Sequence, residues 1–491
     1  MKFGISFLIF FLIIEQFLMK ENYSFIPKYD PEFKPAILEM HKFQEKVLQS
    51  PEKTEIIICL ERNKGYNYHY KTLIYKDGTG HDDENYFIIE RICKMILWVV
   101  GGHKFYIAGS DLIAKKLREE YTENGKRKFD VLFFRDVYEK DIEVISCSKD
   151  QIPKLNEEEI SLSKGLNGNR IGFDAGGSDL KISAVVNGEV KYSKEIVWNP
   201  KLNSDPNYHI DGIMDSFYKA SEYMPTIDSV GISTAGVVVD NRIMVSSLFL
   251  KVSKEDYKKK IKTIYIDCVK KLEQKYNKKI SFIVANDGDV TAFAGLMEFK
   301  TSNGIVGIAM GTSEAGGFIT KEGKLTGWIN ELAFVPIDFN LNAERDPWSG
   351  DYGTGERYFS QEGVIKLAIK AGIKFGEDLT PANKLKYIQN LIENGNNEEK
   401  KIVEEIFNDM GIYLGYSIPL YAHFYDFQDL LLLGRVVSGK GGNIIIEKAK
   451  EVLKNEFPNI SAKIEIHIPD ENSRRVGQSV AAACLPQIIE N

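Results

Sequence analysis

Asp174-Ala175-Gly176-Gly177-Ser178-Asp179-Leu180 is the stretch on which the reading of this chain turns. The apolar run 171–173 precedes it and the alternating run 180–186 follows, so it is a tight glycine turn between two strands. Glycines without Cβ atoms let backbone N–H groups approach an anion and adopt positive φ, which makes such a turn phosphate-sized. A second turn of this kind, Gly311-Thr312-Ser313-Glu314-Ala315-Gly316-Gly317, follows the apolar stretch 304–310. Between the two lies Val284-Ala285-Asn286-Asp287-Gly288-Asp289-Val290, a strand end that delivers a carboxylate. Leu431-Leu432-Leu433-Gly434-Arg435-Val436-Val437-Ser438-Gly439 adds a third turn with exposed backbone. Two phosphate-sized turns, one carboxylate and a third loop imply a nucleotide held across a cleft, as in a phosphotransferase.

The chain has 491 residues, enough for two or three domains with sizeable cores. At 43% hydrophobic and 27% charged it has an ordinary globular composition. Its net charge of −7 argues against a nucleic-acid surface, which needs clustered Lys and Arg. The local Lys-rich run 254–279 also carries Glu255, Asp256 and Glu273 at helical spacings, which reads as a solvated helix face. Cys59, Cys93, Cys147, Cys268 and Cys484 are scattered, with no CxxC pair, so neither a disulfide framework nor a zinc knuckle is expected and a reducing compartment fits. Residues 3–14 are almost wholly apolar, like a signal-peptide core, yet the run is short for a membrane span and Glu15 interrupts it. The reading adopted is a vestigial or spurious extension on a cytoplasmic protein, with a membrane anchor as the lesser alternative.

Residues 23–165 read as a separate α/β module. Within it, 55–60, 66–75, 104–108 and 129–134 have strand character, while 85–100 and 111–121 have helical length and spacing. His81-Asp82-Asp83-Glu84, just before an apolar helix, reads as an N-cap rather than a metal cluster. The polar segment 149–169 reads as a linker. From 170 onward the pattern is strand, glycine turn, strand, an Asn187-Gly188 hairpin turn, strand, then helices over 210–223 and 257–276 flanking a strand at 229–233.

Residues 170–491 resemble the ROK group (repressors, uncharacterised frames and sugar kinases) within the actin/hexokinase/Hsp70-like superfamily. Six segments carry the resemblance, in the family's order. They are Asp174–Ser178 as first phosphate motif, Val230-Gly231-Ile232-Ser233-Thr234-Ala235-Gly236-Val237, the Asn286-Asp287 pair, Gly311–Gly317 as second phosphate motif, Asn330-Glu331-Leu332-Ala333-Phe334, and Leu433–Ser438 as adenosine loop. The resemblance implies a two-lobed, ribonuclease H-like α/β fold with ATP and a sugar in the cleft. Lobe 1 would span 170–300, lobe 2 301–475, and 476–491 would form a helix returning to lobe 1.

It also implies roles. Asp287 would be the general base that takes the proton of a sugar hydroxyl. Asn286, Glu331, Glu356 and Gly236 would hold the substrate. Asp174, Gly176, Gly177, Ser178, Gly311, Thr312, Ser313 and Gly434 would hold ATP and its phosphates. Asp174 would hold Mg2+ through water, since that ion dehydrates reluctantly. The family's zinc element has no counterpart here: Phe334 stands for its His, and Pro347-Trp348-Ser349-Gly350-Asp351-Tyr352-Gly353-Thr354 contains no cysteine, so no zinc site is expected. Phe334 and Leu248 replace two polar sugar-binding positions, so plain glucose is expected to fit poorly. Glu314, a carboxylate within the second phosphate motif, is expected to repel ATP unless it points away. The expected partner is a small sugar-like molecule, with room for a homodimer and no nucleic acid. A non-catalytic sugar- or nucleotide-binding regulator of the same fold, and a nucleotide-driven conformational ATPase, remain as alternatives.

Overall fold

The structure, a computed structural model, describes residues 23–488 except 164, 178, 300–302 and 470; for 299 and 471–476 it describes the backbone alone. The N-terminal part opens with helix α1 (Ala36–Gln49), then β1 (Lys53–Glu61), β2 (Asn67–Tyr75), α2 (Asp82–Val99), β3 (Lys104–Ala108), α3 (Asp111–Glu120), α4 (Lys128–Tyr138) and β4 (Glu143–Ser146). Its sheet runs β2-β1-β3-β4, with β1 antiparallel to both neighbours and β3 parallel to β4. Residues 129–134, expected as a strand, lie in helix α4, where Asp130, Val131, Phe134, Val137 and Tyr138 are buried on one helical face. A short apolar run reads the same in either state, and length and packing decide it. Nor does an acidic side chain cap α2: His81 occupies the cap position without a side-chain bond to the helix backbone, and Asp82 accepts from Gly78 N in the preceding turn.

The expected separate module shares its core. One continuous apolar cluster runs from Phe33 and Ile37 through the buried face of α2 to Val306, Ile308, Tyr413 and Leu432 far along the chain. Helix α2 is buried on nearly all sides from Ile88 to Val99 because it lies between its own sheet and this later part.

Lobe 1 comprises β5 (Ile160–Ser161), β6 (Asn169–Ala175), β7 (Asp179–Val186), β8 (Glu189–Val197), α5 (Pro206–Ser221), β9 (Ser229–Thr234), β10 (Val237–Val239), β11 (Arg242–Val245), α6 (Ile264–Tyr276) and β12 (Ser281–Asn286). Its main sheet has the order β12-β9-β6-β7-β8. The first three strands in sequence are antiparallel, and β9 and β12 then add in parallel. This is the ribonuclease H-like order. Asn187 and Gly188 both have positive φ, the conformation of the tight turn their dipeptide encodes. The helix expected over 257–276 is regular only in α6; before it the chain makes a wide turn in which Lys262 N bonds to Tyr257 O at 3.0 Å.

Helix α7 (Asp287–Phe299) follows; lobe 2 then comprises β13 (Ile305–Met310), β14 (Glu314–Ile319), β15 (Lys324–Leu325), α8 (Gln361–Lys370), α9 (Pro381–Asn394), α10 (Asn397–Tyr421), β16 (Asp429–Leu433), α11 (Gly439–Glu456) and β17 (Glu465–His467), and α12 (Glu471–Ala483) comes last. The lobe 2 sheet is β14-β13-β16-β17. The supposed linker is packed too: β5 pairs antiparallel with β15, and Leu162 is buried.

Helices α7 and α12 lie between the two sheets, where Val290, Phe293, Leu296, Ile305, Leu431 and Leu485 form a separate apolar cluster. Gly172 and Gly231 let α12 approach lobe 1: a Cβ on either would overlap the carbonyl of Ser479 or Ala482. The two sheets with paired helices between them make the fold the expected two-lobed, actin/hexokinase-like one. Among the described residues no helix is long and apolar enough to cross a membrane.

Candidate active site

Both glycine turns are hairpin tips. The first joins β6 to β7 and is closed by Gly176 N bonding to Asp179 O at 2.9 Å; the second joins β13 to β14, with Gly311 N bonding to Ser313 O at 3.0 Å. Gly311 is half-buried, and Thr312 and Ser313 are exposed, as a loop that meets a ligand must be. Ser178 lies outside the described residues. Gly434 has φ +96°, and a side chain there would collide with the backbone of Met310, so this glycine lets the turn after β16 close on β13.

Asp174 ends β6 and is buried; Ser233 Oγ donates to its Oδ1 at 2.7 Å and Lys181 Nζ lies 3.5 Å from its Oδ2. Burial pushes its carboxyl up, opposed by Ser233 and Lys181. With both oxygens engaged, Asp174 suits a metal held through water better than one bound directly. The lysines were missed by the sequence reading. Lys181 alternates with Asp179 on β7, and a side chain on Gly177 would meet Lys201 Nζ at 3.8 Å, so two ammonium groups stand beside the first turn. A Lys four residues beyond Gly177 was the available signal.

Asn286 ends β12 and Asp287 begins α7. Asn286 Nδ2 donates to Gly236 O at 2.8 Å and its Oδ1 accepts from Gly288 N at 2.7 Å, so it ties the loop after β9 to the helix start. Gly236, at φ +119°, leaves no room for a side chain beside Ser246. Asp287, half-buried, accepts from Gly288 N at 3.0 Å. Burial, and then the neighbouring Asp174 carboxylate, push it up to about 7.

Asp289, a residue the sequence reading quoted without assigning, accepts from Phe318 N at 3.1 Å and from Asn330 Nδ2 at 2.9 Å. It too is raised to about 7, mainly by burial. Glu331 is raised to about 7 by burial and by Asp287 and Asp289. Three mutually repelling carboxylates cannot all ionise cheaply, so they titrate as a group.

Asp287 and Gly434 share a cavity of about 670 Å3 between α7, the lobe 2 sheet and the middle of α12, with Thr291, Ala309, Leu433 and Gln478 in its wall. That volume is of the size that holds a nucleotide or drug-sized ligand. Gln478 Nε2 donates to Asp287 O at 3.2 Å.

Three expected features sit elsewhere. Glu356 is buried, raised to about 7 by burial, and its main electrostatic neighbours are Arg357, Asp346, Glu362 and Glu344 rather than Asp287 or Glu331. Glu314 does not crowd the phosphate turn: it is buried against Gly355, accepts from Tyr421 Oη at 3.3 Å, and is raised to about 8 by burial. Nor do Leu248 and Phe334 wall the cavity. Leu248 is in the lobe 1 core, and the Phe334 ring packs 4.2 Å from Trp98 and 5.4 Å from Phe129 of the N-terminal part. The apolar replacements therefore build cores, and the expectation of an apolar sugar wall is corrected accordingly.

The cysteine-free segment 347–354 contributes Asp351 to an ion cluster. Asp351 is 3.1 Å from Arg91, 3.1 Å from Lys94 and 2.7 Å from Arg127, all from the N-terminal part and all buried. Glu90 pairs with Arg91 at 2.9 Å and Arg127 at 2.5 Å, and Asp130 pairs with Lys94 at 3.1 Å. Backbone bonds from Asn330 N to Val99 O and from Glu331 N to Trp98 O, both 3.0 Å, brace the Glu331 loop on the end of α2.

No family model matches the chain, and no curated protein does. Solved structures are similar to it. A ROK hexokinase from Thermus thermophilus is 13% identical, with TM-score 0.48, covering 65% of this chain and 98% of its own. A ROK family glucokinase from Streptomyces griseus, solved with glucose and AMPPNP, is 18% identical with TM-score 0.43, covering 64% and 98%. A ROK family transcriptional regulator, a homolog of E. coli MLC, is 15% identical with TM-score 0.48, covering 64% and 77%. On its strand order and its helix pair held between two sheets, the chain has the two-lobed actin/hexokinase-like fold, and the three solved structures just given carry the ROK name.

Proposed function

We propose that this protein is an ATP-dependent phosphotransferase acting on a hydroxyl of a sugar or sugar derivative, in the cytoplasm. The observation that carries the reading is Asp287: a carboxylate at a helix start, lining the interlobe cavity beside Gly434, with its proton affinity raised to about 7. A base poised near neutrality can take a hydroxyl proton as the oxygen attacks and still be ionised enough to act. Asn286 and Glu331 would orient the other hydroxyls. Gly176, Gly177, Gly311, Thr312 and Ser313 would offer backbone and hydroxyl donors to phosphate oxygens, with Lys181 and Lys201 supplying positive charge. A Mg2+ ion, when bound, would neutralise phosphate charge, and the repelling pair Asp174 and Asp287 fits a divalent cation.

The test is ADP release with Mg-ATP across sugars, amino sugars and polyols, for the protein and for Asp287→Asn. The variant is expected to bind ATP and lose roughly 10²–10⁴-fold in turnover. Unchanged turnover in the variant, or ATP hydrolysis indifferent to every sugar, would overturn the reading. Phe334→His is expected not to improve a good substrate, because the ring belongs to the cluster with Trp98.

A further inference from the structure

We propose that the N-terminal part is a working component of the site: the end of helix α2 and the side chain of Asn330 hold Glu331 where it meets the substrate, which makes Trp98, Val99 and Asn330 positioning residues. The inference rests on the role given to Glu331 in the function proposed above.

A helix leaves its last carbonyls without partners inside the helix. At the end of α2, Ile96 O and Leu97 O accept from the amides of Val100 and Gly101, which directly follow, at 2.8 and 3.0 Å. The next two carbonyls turn to a distant part of the chain. Trp98 O accepts from Glu331 N and Val99 O from Asn330 N, both at 3.0 Å. The Glu331 loop therefore completes the cap of α2. Buried backbone groups need such partners, so the loop cannot leave α2 without orphaning two carbonyls and two amides.

Shape enforces the same register. Gly101 has φ +80°, and a side chain there would overlap Tyr138 Oη and stand 2.9 Å from Ile329 Cγ2, so this glycine lets the residue two before Glu331 lie against the end of α2. Three residues after Glu331, the Phe334 ring lies 4.2 Å from that of Trp98.

Asn330 holds the loop from the other direction. It is 3% exposed and has φ +50°, a left-handed conformation that Asn tolerates better than most residues. Its Nδ2 donates to Asp289 Oδ1 at 2.9 Å, and its Oδ1 accepts from Tyr425 Oη at 3.0 Å. Asp289 stands two residues after Asp287 on α7, so one side-chain amide ties the Glu331 loop to the helix that carries the base. Glu331 leaves this clamp within the field of Asp287 and Asp289. Misplacing a group that orients a substrate by about 1 Å can cost about 10²-fold, which gives the clamp its value.

Two variants move the loop without altering Asn286, Asp287 or Glu331. Gly101→Ala pushes Ile329 away from α2, and Phe334→Ala removes the ring that packs on Trp98. Asp351→Asn, which weakens the same junction at the ion cluster, is the stability control. In the full-length proteins, hydrogen exchange followed by mass spectrometry on peptides covering 329–332 reads the clamp. Exchange there should be slow in the native protein and about tenfold or more faster in the two loop variants. Steady-state kinetics with Mg-ATP use whichever of glucose, glucosamine, mannose and ribose is turned over fastest. The KM for that sugar should rise about tenfold in the loop variants and stay within about twofold in Asp351→Asn, with the KM for ATP unchanged in all three. A merely structural contact would instead lower the folded fraction, and with it kcat, at constant KM. The proposal is overturned if segment 329–332 exchanges freely in the native protein, if both loop variants keep the native sugar KM, or if Asp351→Asn raises it as much as they do. Absence of turnover with all four sugars counts against the function proposed above and not against the clamp, which hydrogen exchange decides.

Discussion

Replacing Asp351 by Asn removes one charge and almost no volume from the cluster that joins the N-terminal part to lobe 2. In the native protein three cations (Arg91, Lys94, Arg127) face three carboxylates (Glu90, Asp130, Asp351), and each of the six is at most 5% exposed. Burial alone would raise the Asp351 carboxyl, yet Lys94 and Arg91 hold it well below the usual range, so attraction outweighs desolvation here. The variant leaves one buried positive charge without a counter-charge. Breaking a buried pair in this way costs about 3–5 kcal/mol. With a urea slope of about 3 kcal/mol/M for a chain of this size, the midpoint should move by about 1–1.7 M. The assay is urea unfolding of both proteins, followed by tryptophan fluorescence, with Asp351→Asn/Arg127→Gln as the balancing control that should recover part of the loss. The pH dependence has a definite sign. A depressed carboxyl contributes stability that is present above its unfolded pKa near 3.9 and lost as pH falls through the folded value, so the difference should be flat from pH 5 to 8. A midpoint shift worth less than about 1 kcal/mol would show that the cluster's charges are balanced by something other than Asp351.

Turnover should fall about tenfold per pH unit below 7 and level off above it, because Asp287, raised to about 7, must be ionised to accept a proton; a pH–rate profile flat from 5 to 8 would remove it as base. Stability of the free protein should decline as pH rises from 4 to 8, since Asp287, Asp289 and Glu331 near 7 and Glu314 near 8 keep protons that the unfolded chain releases near 4; thermal melts across that range measure it. Gly231→Ala should cost about 1–3 kcal/mol or expel α12, because its methyl would overlap the Ala482 carbonyl; normal stability in denaturant would contradict the close packing. Elemental analysis of the purified protein should find no stoichiometric zinc, given Phe334 and the cysteine-free 347–354 segment; tightly held zinc would overturn that alignment.

The glycine turns, the Asn187-Gly188 hairpin and the order of the six segments were legible because each depends on local backbone demands that residue type reveals directly. Asp287 just past a strand end could be read for the same reason, though the helix that begins there was not. What could not be read depends on contacts between distant parts. The helix at 128–138 is amphipathic only relative to a neighbour it meets at Trp98 and Phe334. Glu356 keeps its motif position, but Arg357, Glu344 and Glu362 now dominate its field. Leu248 and Phe334 looked like pocket residues because their place in a motif was visible while their packing partners were not. Asp289 shows the converse: it stood within the quoted motif, yet its worth lies in Asn330 and Phe318, some 40 and 29 residues on.

The cores also set an order in time. Lobe 1 closes one apolar cluster within residues 171–284, so that cluster is made in one uninterrupted stretch, while the other face of its sheet takes α12 from near the end of the chain. The N-terminal part has no such closure, because its cluster runs from Phe33 to Ile466. At a synthesis rate of about 5–20 residues per second, residues 33 and 466 emerge on the order of 20–90 s apart. During that interval lobe 1 can fold as an inserted unit while the sequence on either side of it waits. The body that is first in the chain thus stays open well after that cluster can close, and the face of α2 that meets Asn330, Glu331, Phe334 and Asp351 has no cover until they are made.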